Sequence, residues 1–266
     1  MHTPRSFFLF LIVVVALSSC TGRPQPSASD PKAAPHSETQ PPSEKAYKTV
    51  EVDSLDGTPL IGSYYAAGKP DSPAILLLHQ WESDRHAYDD FAAKMQSHGF
   101  AVLAIDGRGF GESNRRANGA LLPAGRTDAD VKLMLGDVDA TFGYLTKQQN
   151  IDPTRVGIVG ASYGSSLAII YAADHPQVAA VGLLSPGLNY FGNMQTEPPA
   201  KKYGERPLFI TAAEDDKESA DAVRSLAAAN AKATQKIYST GGHGTALLQV
   251  GAADELEKFL SASLQK

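Results

Sequence analysis

Residues 155–164 read RVGIVGASYG, and this stretch decides the fold. Residues 155–159 form an apolar run typical of a strand buried on both faces of a sheet, and a helical pattern follows Gly164. Gly160 and Gly164 allow close packing around a sharp turn, which projects the oxygen of Ser162 into a crevice. The segment predicts strand, turn and helix with a nucleophilic serine; the alternative is a tight turn whose serine only caps the helix.

Short β-rich runs alternate with helical patterns on both sides of this segment. A hairpin turning at residues 56–57 comes first, followed by six predicted strands at 74–78, 101–105, 155–159, 178–184, 208–211 and 236–238. Predicted helices lie between them, near 91–99, 128–147, 165–173, 220–229 and 252–260. Repeated βα units predict one α/β domain whose eight-stranded, mostly parallel sheet is covered by helices on both faces.

Five motifs along the chain are together similar to one known family. They are residues 77–80 (LLHQ), 105–113 (IDGRGFGES), 160–164 (GASYG), 214–216 (EDD) and 242–244 (GHG). The set resembles the dienelactone-hydrolase branch of the α/β-hydrolase superfamily, over most of residues 47–266. The named dienelactone hydrolases have a cysteine nucleophile where this chain has Ser162, and Gln80 stands where many relatives have glycine. The resemblance therefore implies a serine hydrolase of α/β-hydrolase fold, without carrying over the dienelactone substrate.

A serine attacks an ester at neutral pH only with a base and an orienting carboxylate. Two histidines follow Ser162 in the chain. His175 ends the helix after the turn, where histidines commonly cap carbonyls, whereas His243 lies in a glycine-rich turn just past the last strand. We predict His243 as the base; the alternative is an exposed turn residue.

Three adjacent carboxylates, Glu214, Asp215 and Asp216, follow the strand at 208–211. The resemblance places the acid after the strand, a small residue and two further residues, which implies Asp216. A competing role for Asp216 is to cap the helix that follows it.

The two predicted oxyanion donors are backbone N–H groups. One belongs to Tyr163, at the start of the helix after Ser162, and the other to Trp81, in the loop after the first buried strand. His79 in the same loop is predicted to be a packed residue at the strand end rather than a second base. Residues 106–113 are predicted to form a rigid turn beneath the site.

A cap over the site would lie in residues 186–206. This stretch is short and contains two adjacent prolines, so no large cap is predicted. Four apolar residues in it either edge an open site or pack on the domain: Leu188, Tyr190, Phe191 and Met194.

The N-terminal residues read as a targeting segment. Arg5 precedes an apolar run at 7–17 that is too short to span a membrane comfortably but has the length and flanks of a signal peptide. Residues 17–20 (LSSC) resemble the lipobox of bacterial lipoproteins, which implies a signal peptide at 1–19, acylation of Cys20 and a lipid anchor in the bacterial cell envelope. Residues 20–46, rich in proline and serine, then form a disordered tether. The alternatives are an ordinary signal peptide or an uncleaved anchor.

Composition and charge limit the partners. The formal net charge is −5 and no Lys/Arg cluster is present, which argues against nucleic acid. The single cysteine permits no internal disulfide. No His, Cys or Asp cluster has metal-ligand spacing, so neither a metal nor an organic cofactor is predicted.

The predicted function is hydrolysis of a small-molecule ester through Ser162, His243 and Asp216, with an acyl-enzyme intermediate. One alternative is a serine peptidase of the prolyl-oligopeptidase type, which the chain fits less well because it lacks the long N-terminal propeller. Another is a non-catalytic binding lipoprotein that reuses the fold.

Overall fold

The computed structural model describes residues 46–265 and contains the sheet expected from the sequence. Within these residues eight strands join one sheet, and β7 and β8 form a separate hairpin. The strands are β1 (Lys48–Asp53), β2 (Pro59–Tyr65), β3 (Ser72–Leu78), β4 (Ala101–Ile105), β5 (Ile151–Ala161), β6 (Val178–Leu184), β7 (Asn189–Tyr190), β8 (Met194–Gln195), β9 (Leu208–Ala213) and β10 (Thr234–Tyr238).

The order of strands in the sheet is β1-β2-β4-β3-β5-β6-β9-β10. β2 runs antiparallel to both of its neighbours, β1 and β4, and every other adjacent pair is parallel. The predicted eight-stranded, mostly parallel sheet is therefore confirmed. The chain order reverses between β3 and β5, and ligands of such sheets bind at the carboxyl ends of strands beside this switch point.

Helices cover both faces of the sheet, as the βα alternation predicts. They are α1 (Asp89–Ser97), α2 (Asp128–Thr146), α3 (Tyr163–Asp174), α4 (Glu197–Tyr203), α5 (Lys217–Ala229) and α6 (Ala252–Leu264). Successive side chains of a strand point to opposite faces. Ile75 and Leu77 of β3 accordingly belong to a buried cluster with α1 and α6, whereas Leu76 and Leu78 belong to a second cluster with α2, α3, α4 and α5.

The segment between β6 and β9 contains a helix that the sequence analysis did not predict. Pro198 and Pro199, which argue against a large cap, lie in the first turn of α4. The first turn of a helix needs no backbone N–H donors, so proline is tolerated there. Only the β7–β8 hairpin and this seven-residue helix separate β6 from β9 in the described chain, so no large cap is present.

Residues 106–113 form the rigid turn expected beneath the site. The Asp106 carboxylate accepts hydrogen bonds from the backbone N–H groups of Arg85 (2.7 Å) and Glu112 (2.8 Å) and also pairs with the Arg85 guanidinium. Ser113 Oγ accepts a hydrogen bond from the backbone N–H of Ile61 at 2.8 Å. These hydrogen bonds join the turn to β2, through Ile61, and to the loop after β3, through Arg85.

A buried ion pair holds the same turn against α2. Arg108 donates two hydrogen bonds to Asp137, from Nε and Nη2, each at 2.6 Å. Both side chains are nearly inaccessible to solvent. Burial raises the pKa of Asp137, and the hydrogen bonds from Arg108 and Ser54 oppose this rise. Removing Asp137 would leave the buried charge of Arg108 with only the partly exposed Asp56 as an acidic partner, at 3.0 Å, and breaking a buried pair in this way is strongly destabilising.

Asp137→Ala is therefore expected to lower the free energy of unfolding by about 3–5 kcal/mol, because Arg108 would keep its charge without its main partner. Urea denaturation measures the loss, provided that the m-value is the same in the variant and the wild type. The matched control is Asp139→Ala on the same helix, whose exposed carboxylate accepts one hydrogen bond from Tyr171. The control should cost less than about 1 kcal/mol; equal losses in the two variants would contradict the special role of the buried pair.

The predicted signal peptide (1–19), the acylation site Cys20 and all but the last residue of the tether (20–46) lie outside the described residues. In the part of the chain that the structure does describe, no helix has the length and hydropathy needed to cross a bilayer.

Candidate active site

Ser162 occupies a strained turn between β5 and α3. Its backbone φ is 54° and ψ is −123°, in a region that non-glycine residues rarely adopt. Such a conformation costs on the order of 1–3 kcal/mol and persists where the surroundings impose it. The Ser162 side chain does not cap α3. The turn thus has the geometry of a nucleophile elbow rather than that of a helix cap.

The two glycines of the motif are required by close backbone packing. A Cβ on Gly160 would lie 2.2 Å from the carbonyl oxygen of Gly164, and one on Gly164 would lie 2.6 Å from the carbonyl oxygens of Leu78 and His79. Neither distance is compatible with a side chain. The glycines therefore allow the elbow to close and bring β5 and α3 against the loop after β3.

His243 and Asp216 are brought together at the carboxyl edge of the sheet. Nδ1 of His243 lies 2.7 Å from Oδ2 of Asp216. Burial raises the pKa of Asp216, but hydrogen bonds from His243, Ser219 and Ser185 outweigh it and lower the pKa overall. Asp216 therefore stays ionised and accepts the Nδ1–H of His243, which leaves Nε2 as the acceptor of a further proton.

Each of the three adjacent carboxylates has a different partner. Glu214 pairs with Arg224, which lies on α5. Asp215 accepts hydrogen bonds from the backbone N–H groups of Gly241 (3.1 Å) and Gly242 (3.2 Å). Asp216 precedes α5 but makes no side-chain capping bond to it. The geometry therefore favours the contact with His243 over the competing role of Asp216 as a helix cap.

The Oγ of Ser162 donates a hydrogen bond to the hydroxyl of Tyr190 at 3.1 Å, and that hydroxyl donates in turn to the carbonyl of Ser185 at 3.3 Å. Among the hydrogen bonds of residues 46–265, none joins Ser162 to His243. Hydrogen bonds between catalytic groups are often long or absent until substrate binds. The transfer of the Ser162 proton to His243 stays a prediction.

The loop after β3 packs against Tyr163, the residue that follows Ser162. Within the described residues no hydrogen bond is formed by the backbone N–H of Trp81 or of Tyr163, the two predicted oxyanion donors. The ring of Trp81 packs against that of Tyr163, with centroids 5.3 Å apart. Both donors therefore belong to residues that contact each other beside the nucleophile.

His79 is a packed residue at the strand end, as its position predicts. Its Nε2 accepts a hydrogen bond from the backbone N–H of Gly107 at 2.9 Å, and its Nδ1 donates to the carbonyl of Gln80 at 2.6 Å. Burial lowers the pKa of His79 and so favours the neutral ring that these two bonds require. His79 thus links the loop after β3 to the residues that follow β4 through a hydrogen bond.

Gln80, the departure from the family pattern, connects two parts of the site. Its Oε1 accepts a hydrogen bond from the hydroxyl of Thr245 at 3.0 Å. Thr245 lies two residues after His243, so Gln80 links the loop that carries Trp81 to the loop that carries the candidate base. A glycine at this position would lack the link.

Residues 69–204 match the model of a protein family described as serine aminopeptidase, S33, and this range is slightly more than half of the chain. The chain belongs to this family. The matched range includes Trp81, the Ser162 elbow and Tyr190, but it ends before Asp216 and His243.

Solved structures share the fold of this S33-family chain. Curated relatives match about half of its sequence. A curated relative, the thiohydrolase aneE of Aspergillus aculeatus, is 30% identical over 144 residues, which are 54% of this chain but only 42% of that protein. The esterase Pf2001 of Pyrococcus furiosus has a TM-score of 0.64 and 18% identity, covering 82% of this chain and 93% of that one. The α/β hydrolase GrgF of Penicillium sp. sh18 has a TM-score of 0.68 and 14% identity, covering 82% and 99%. The predicted α/β-hydrolase fold is thereby confirmed.

The sequence analysis did not assign a role to several residues that surround Ser162 in this S33-family chain. Tyr190 is predicted either to edge the site or to pack on the domain, and its hydroxyl contacts Ser162, as the first alternative requires. Met194 is fully buried, whereas Leu188 is exposed. Ser185, whose Oγ accepts the backbone N–H of Gly244 at 2.9 Å, was not singled out at all. Its only signal was a serine directly after a buried strand, which many serines share.

Proposed function

We propose that this chain is a serine hydrolase that cleaves carboxylic esters, with Ser162 as nucleophile, His243 as base and Asp216 as the orienting acid. The observation that carries the proposal is the combination of a positive-φ serine at a strand–helix elbow with a histidine–carboxylate pair on the loops at the same sheet edge. Membership of a serine-hydrolase family supports the same reaction type.

In the first half of the reaction, Oγ of Ser162 attacks the ester carbonyl while Nε2 of His243 takes the hydroxyl proton. Negative charge then develops on the carbonyl oxygen, where the N–H groups of Trp81 and Tyr163 stabilise it. Collapse of the tetrahedral intermediate breaks the ester C–O bond, and the leaving alcohol takes the proton from His243. The product is an acyl group on Ser162.

In the second half, His243 takes a proton from water, the resulting hydroxide attacks the acyl carbonyl, and Ser162 leaves with the proton returned by His243. In the first half, the Ser162 hydroxyl must exchange its hydrogen bond to Tyr190 for one to His243.

The proposal of ester hydrolysis is supported by the lack of a large cap between β6 and β9 in the described chain and by the hydrolase names of similar proteins, thiohydrolase and esterase. Motifs such as 105–113 support, within this proposal, a relationship to the dienelactone-hydrolase-like branch. The family description names a serine aminopeptidase, so peptide bonds are the alternative to be tested.

Labelling with a fluorophosphonate probe, followed by intact mass, tests the nucleophile, with Ser162→Ala as the control. A panel of p-nitrophenyl acyl esters of increasing chain length and of aminoacyl p-nitroanilides then tests the bond cleaved. We expect labelling of the unaltered protein only, with turnover of esters. Turnover of the nitroanilides alone would indicate a peptidase, and an unlabelled protein would indicate a binding function.

We further propose that the mature protein is a lipid-anchored component of the bacterial cell envelope, acylated at Cys20. Residues 17–20 behind the apolar run 7–17 support this proposal. Two or more acyl chains give stable anchoring, whereas one chain is marginal.

Cys20→Ser is expected to abolish acylation and to block or divert processing, because the acyl groups attach to the cysteine thiol and to the amino group exposed by cleavage. Detergent partitioning and intact mass of the mature protein measure both effects. A mature wild-type protein whose mass includes no acyl group would refute the anchor.

A further inference from the structure

Arg126, in the loop that precedes α2, lies beside the candidate active site with its guanidinium against two aromatic rings. The guanidinium carbon is 4.7 Å from the centroid of the Trp81 ring and 5.1 Å from that of Phe191. The two rings contact each other, with centroids 4.8 Å apart. Both distances from the cation are within the range of cation–π attraction. We call Arg126, Trp81 and Phe191 the Arg126 cluster.

Both rings of the Arg126 cluster adjoin residues that flank the nucleophile. The Trp81 ring packs on Tyr163, the residue after Ser162. The Phe191 ring lies 6.3 Å from that of Tyr190, whose hydroxyl contacts Ser162 Oγ. Two aromatic side chains therefore connect Arg126 to the surroundings of Ser162 on each side, Trp81 with Tyr163 and Phe191 with Tyr190.

The charge of Arg126 has no acidic partner among the described residues. Ion pairs of arginines within residues 46–265 are formed by Arg85, Arg108, Arg155 and Arg224. The carboxylates that follow Arg126 in the chain have other donors: Asp128 accepts from Asn193 at 2.9 Å, and Asp130 from the backbone N–H of Thr127 at 2.9 Å. An arginine held by rings but lacking a carboxylate is available to an anion from solution.

The backbone around Arg126 is fixed from both sides. Its carbonyl accepts a hydrogen bond from Nδ2 of Asn193, on the turn of the β7–β8 hairpin, at 3.1 Å. The next residue, Thr127, forms a reciprocal capping box with Asp130 at the start of α2. Less side-chain and loop freedom is lost when a ligand binds a group that is already positioned.

We propose that Arg126 binds a carboxylate carried by the substrate, so that the preferred substrates are esters whose acyl part ends in a negative charge, such as monoesters of dicarboxylic acids. This inference rests on the proposed ester hydrolysis and specifies its substrate class. A guanidinium stacked on rings keeps its in-plane N–H donors for a carboxylate, which it binds with two parallel hydrogen bonds.

A matched pair of esters tests the preference in the full chain. Mono-p-nitrophenyl glutarate carries the carboxylate, and p-nitrophenyl valerate has the same five-carbon acyl chain without it. In Arg126→Gln, the ratio of kcat/KM for glutarate over valerate is expected to fall roughly ten- to a hundredfold, mainly through KM, as for a lost hydrogen bond between charged groups. The wild-type ratio should also decrease as salt is added.

The matched control is Arg116→Gln, which removes the same charge from an exposed arginine earlier in the same loop. Its glutarate-to-valerate ratio should equal that of the wild type within about twofold, since screened surface charges contribute little. Unchanged ratios in Arg126→Gln, or equal falls in both variants, would overturn the proposal. If the wild type hydrolyses neither the glutarate ester nor the valerate ester, the result would instead contradict the proposed ester hydrolysis.

Fluorescence tests the binding step without turnover. Trp81 is the only tryptophan in the chain, so its emission reports directly on the Arg126 cluster. In Ser162→Ala protein, monomethyl glutarate should cause a saturable change in emission and methyl valerate should not. The change should disappear when Arg126→Gln is added and persist when Arg116→Gln is added. No change in Ser162→Ala, or a change that survives Arg126→Gln, refutes the carboxylate site whether or not the protein hydrolyses esters.

Discussion

Ser162→Ala is expected to lower kcat for an activated short-chain ester by a factor on the order of 10⁴ to 10⁶, the loss typical of a triad serine. The reason is chemical, since the change removes the only atom proposed to bond the acyl group. A progress curve with p-nitrophenyl butyrate measures the loss, with the active sites of the wild type titrated by the fluorophosphonate probe and the variant used at a protein concentration measured by absorbance.

The backbone should tolerate this change. Alanine at position 162 would keep the φ of 54°, and the variant loses only the hydrogen bond from Oγ to Tyr190, a contribution of about 0.5–1.5 kcal/mol. The melting temperature should therefore stay close to that of the wild type. A variant that folds and keeps more than about a tenth of the wild-type rate would show that Ser162 is not the nucleophile.

Asp216→Asn is expected to lower kcat by up to about 10⁴, as loss of the orienting aspartate does in serine proteases. Asparagine at this position can present an amide N–H to Nδ1 of His243, which favours the wrong tautomer and places the proton on Nε2. The ionised carboxylate would also no longer stabilise the imidazolium that forms during attack. Steady-state kinetics and melting temperature, measured side by side, separate a catalytic loss from unfolding.

Asp215→Asn is the matched comparison, one residue away and with the same change of charge. Asp215 is exposed and accepts hydrogen bonds from the N–H groups of Gly241 and Gly242. The side-chain oxygen of asparagine can still accept from these groups, so the loop carrying His243 should be held with a loss in kcat of less than about tenfold, roughly 1.4 kcal/mol. A crippled Asp215→Asn together with a nearly normal Asp216→Asn would reverse the assignment of the acid.

Local signals in the sequence were sufficient to predict the fold and the sharp turn that carries Ser162. The elbow could be predicted without knowledge of any distant contact, because its signals lie next to one another in the chain. They are the apolar run before Gly160, the two glycines and the helical pattern after Ser162. The buried strands were recognisable for the same reason, because burial on both faces leaves continuous apolar runs. The boundaries were less accurate: β5 begins at Ile151, where that residue pairs with Ser72 of β3, four residues before the apolar run.

The choice among neighbouring polar groups depended on tertiary contacts. Glu214, Asp215 and Asp216 all carry a carboxylate, and only the resemblance to a family favoured Asp216. Only the packing of the loop after β9 against α5 and against the loop after β10 gives each carboxylate its own partner. Sequence spacing fixes which strand end a residue follows, but the direction of a side chain in a loop depends on groups from distant parts of the chain.

The sequence by itself determined an α/β-hydrolase sheet, a serine at its central turn and the glycines that the turn requires. The tertiary structure alone decided that Tyr190 contacts Ser162, that Gln80 joins Thr245 and that Arg126 lies against Trp81 and Phe191. The members of each contact are far apart in sequence and lie in loops or short elements that show no hydrophobic periodicity. No local propensity encodes such contacts, because they form only after the sheet has brought the loop ends to one edge.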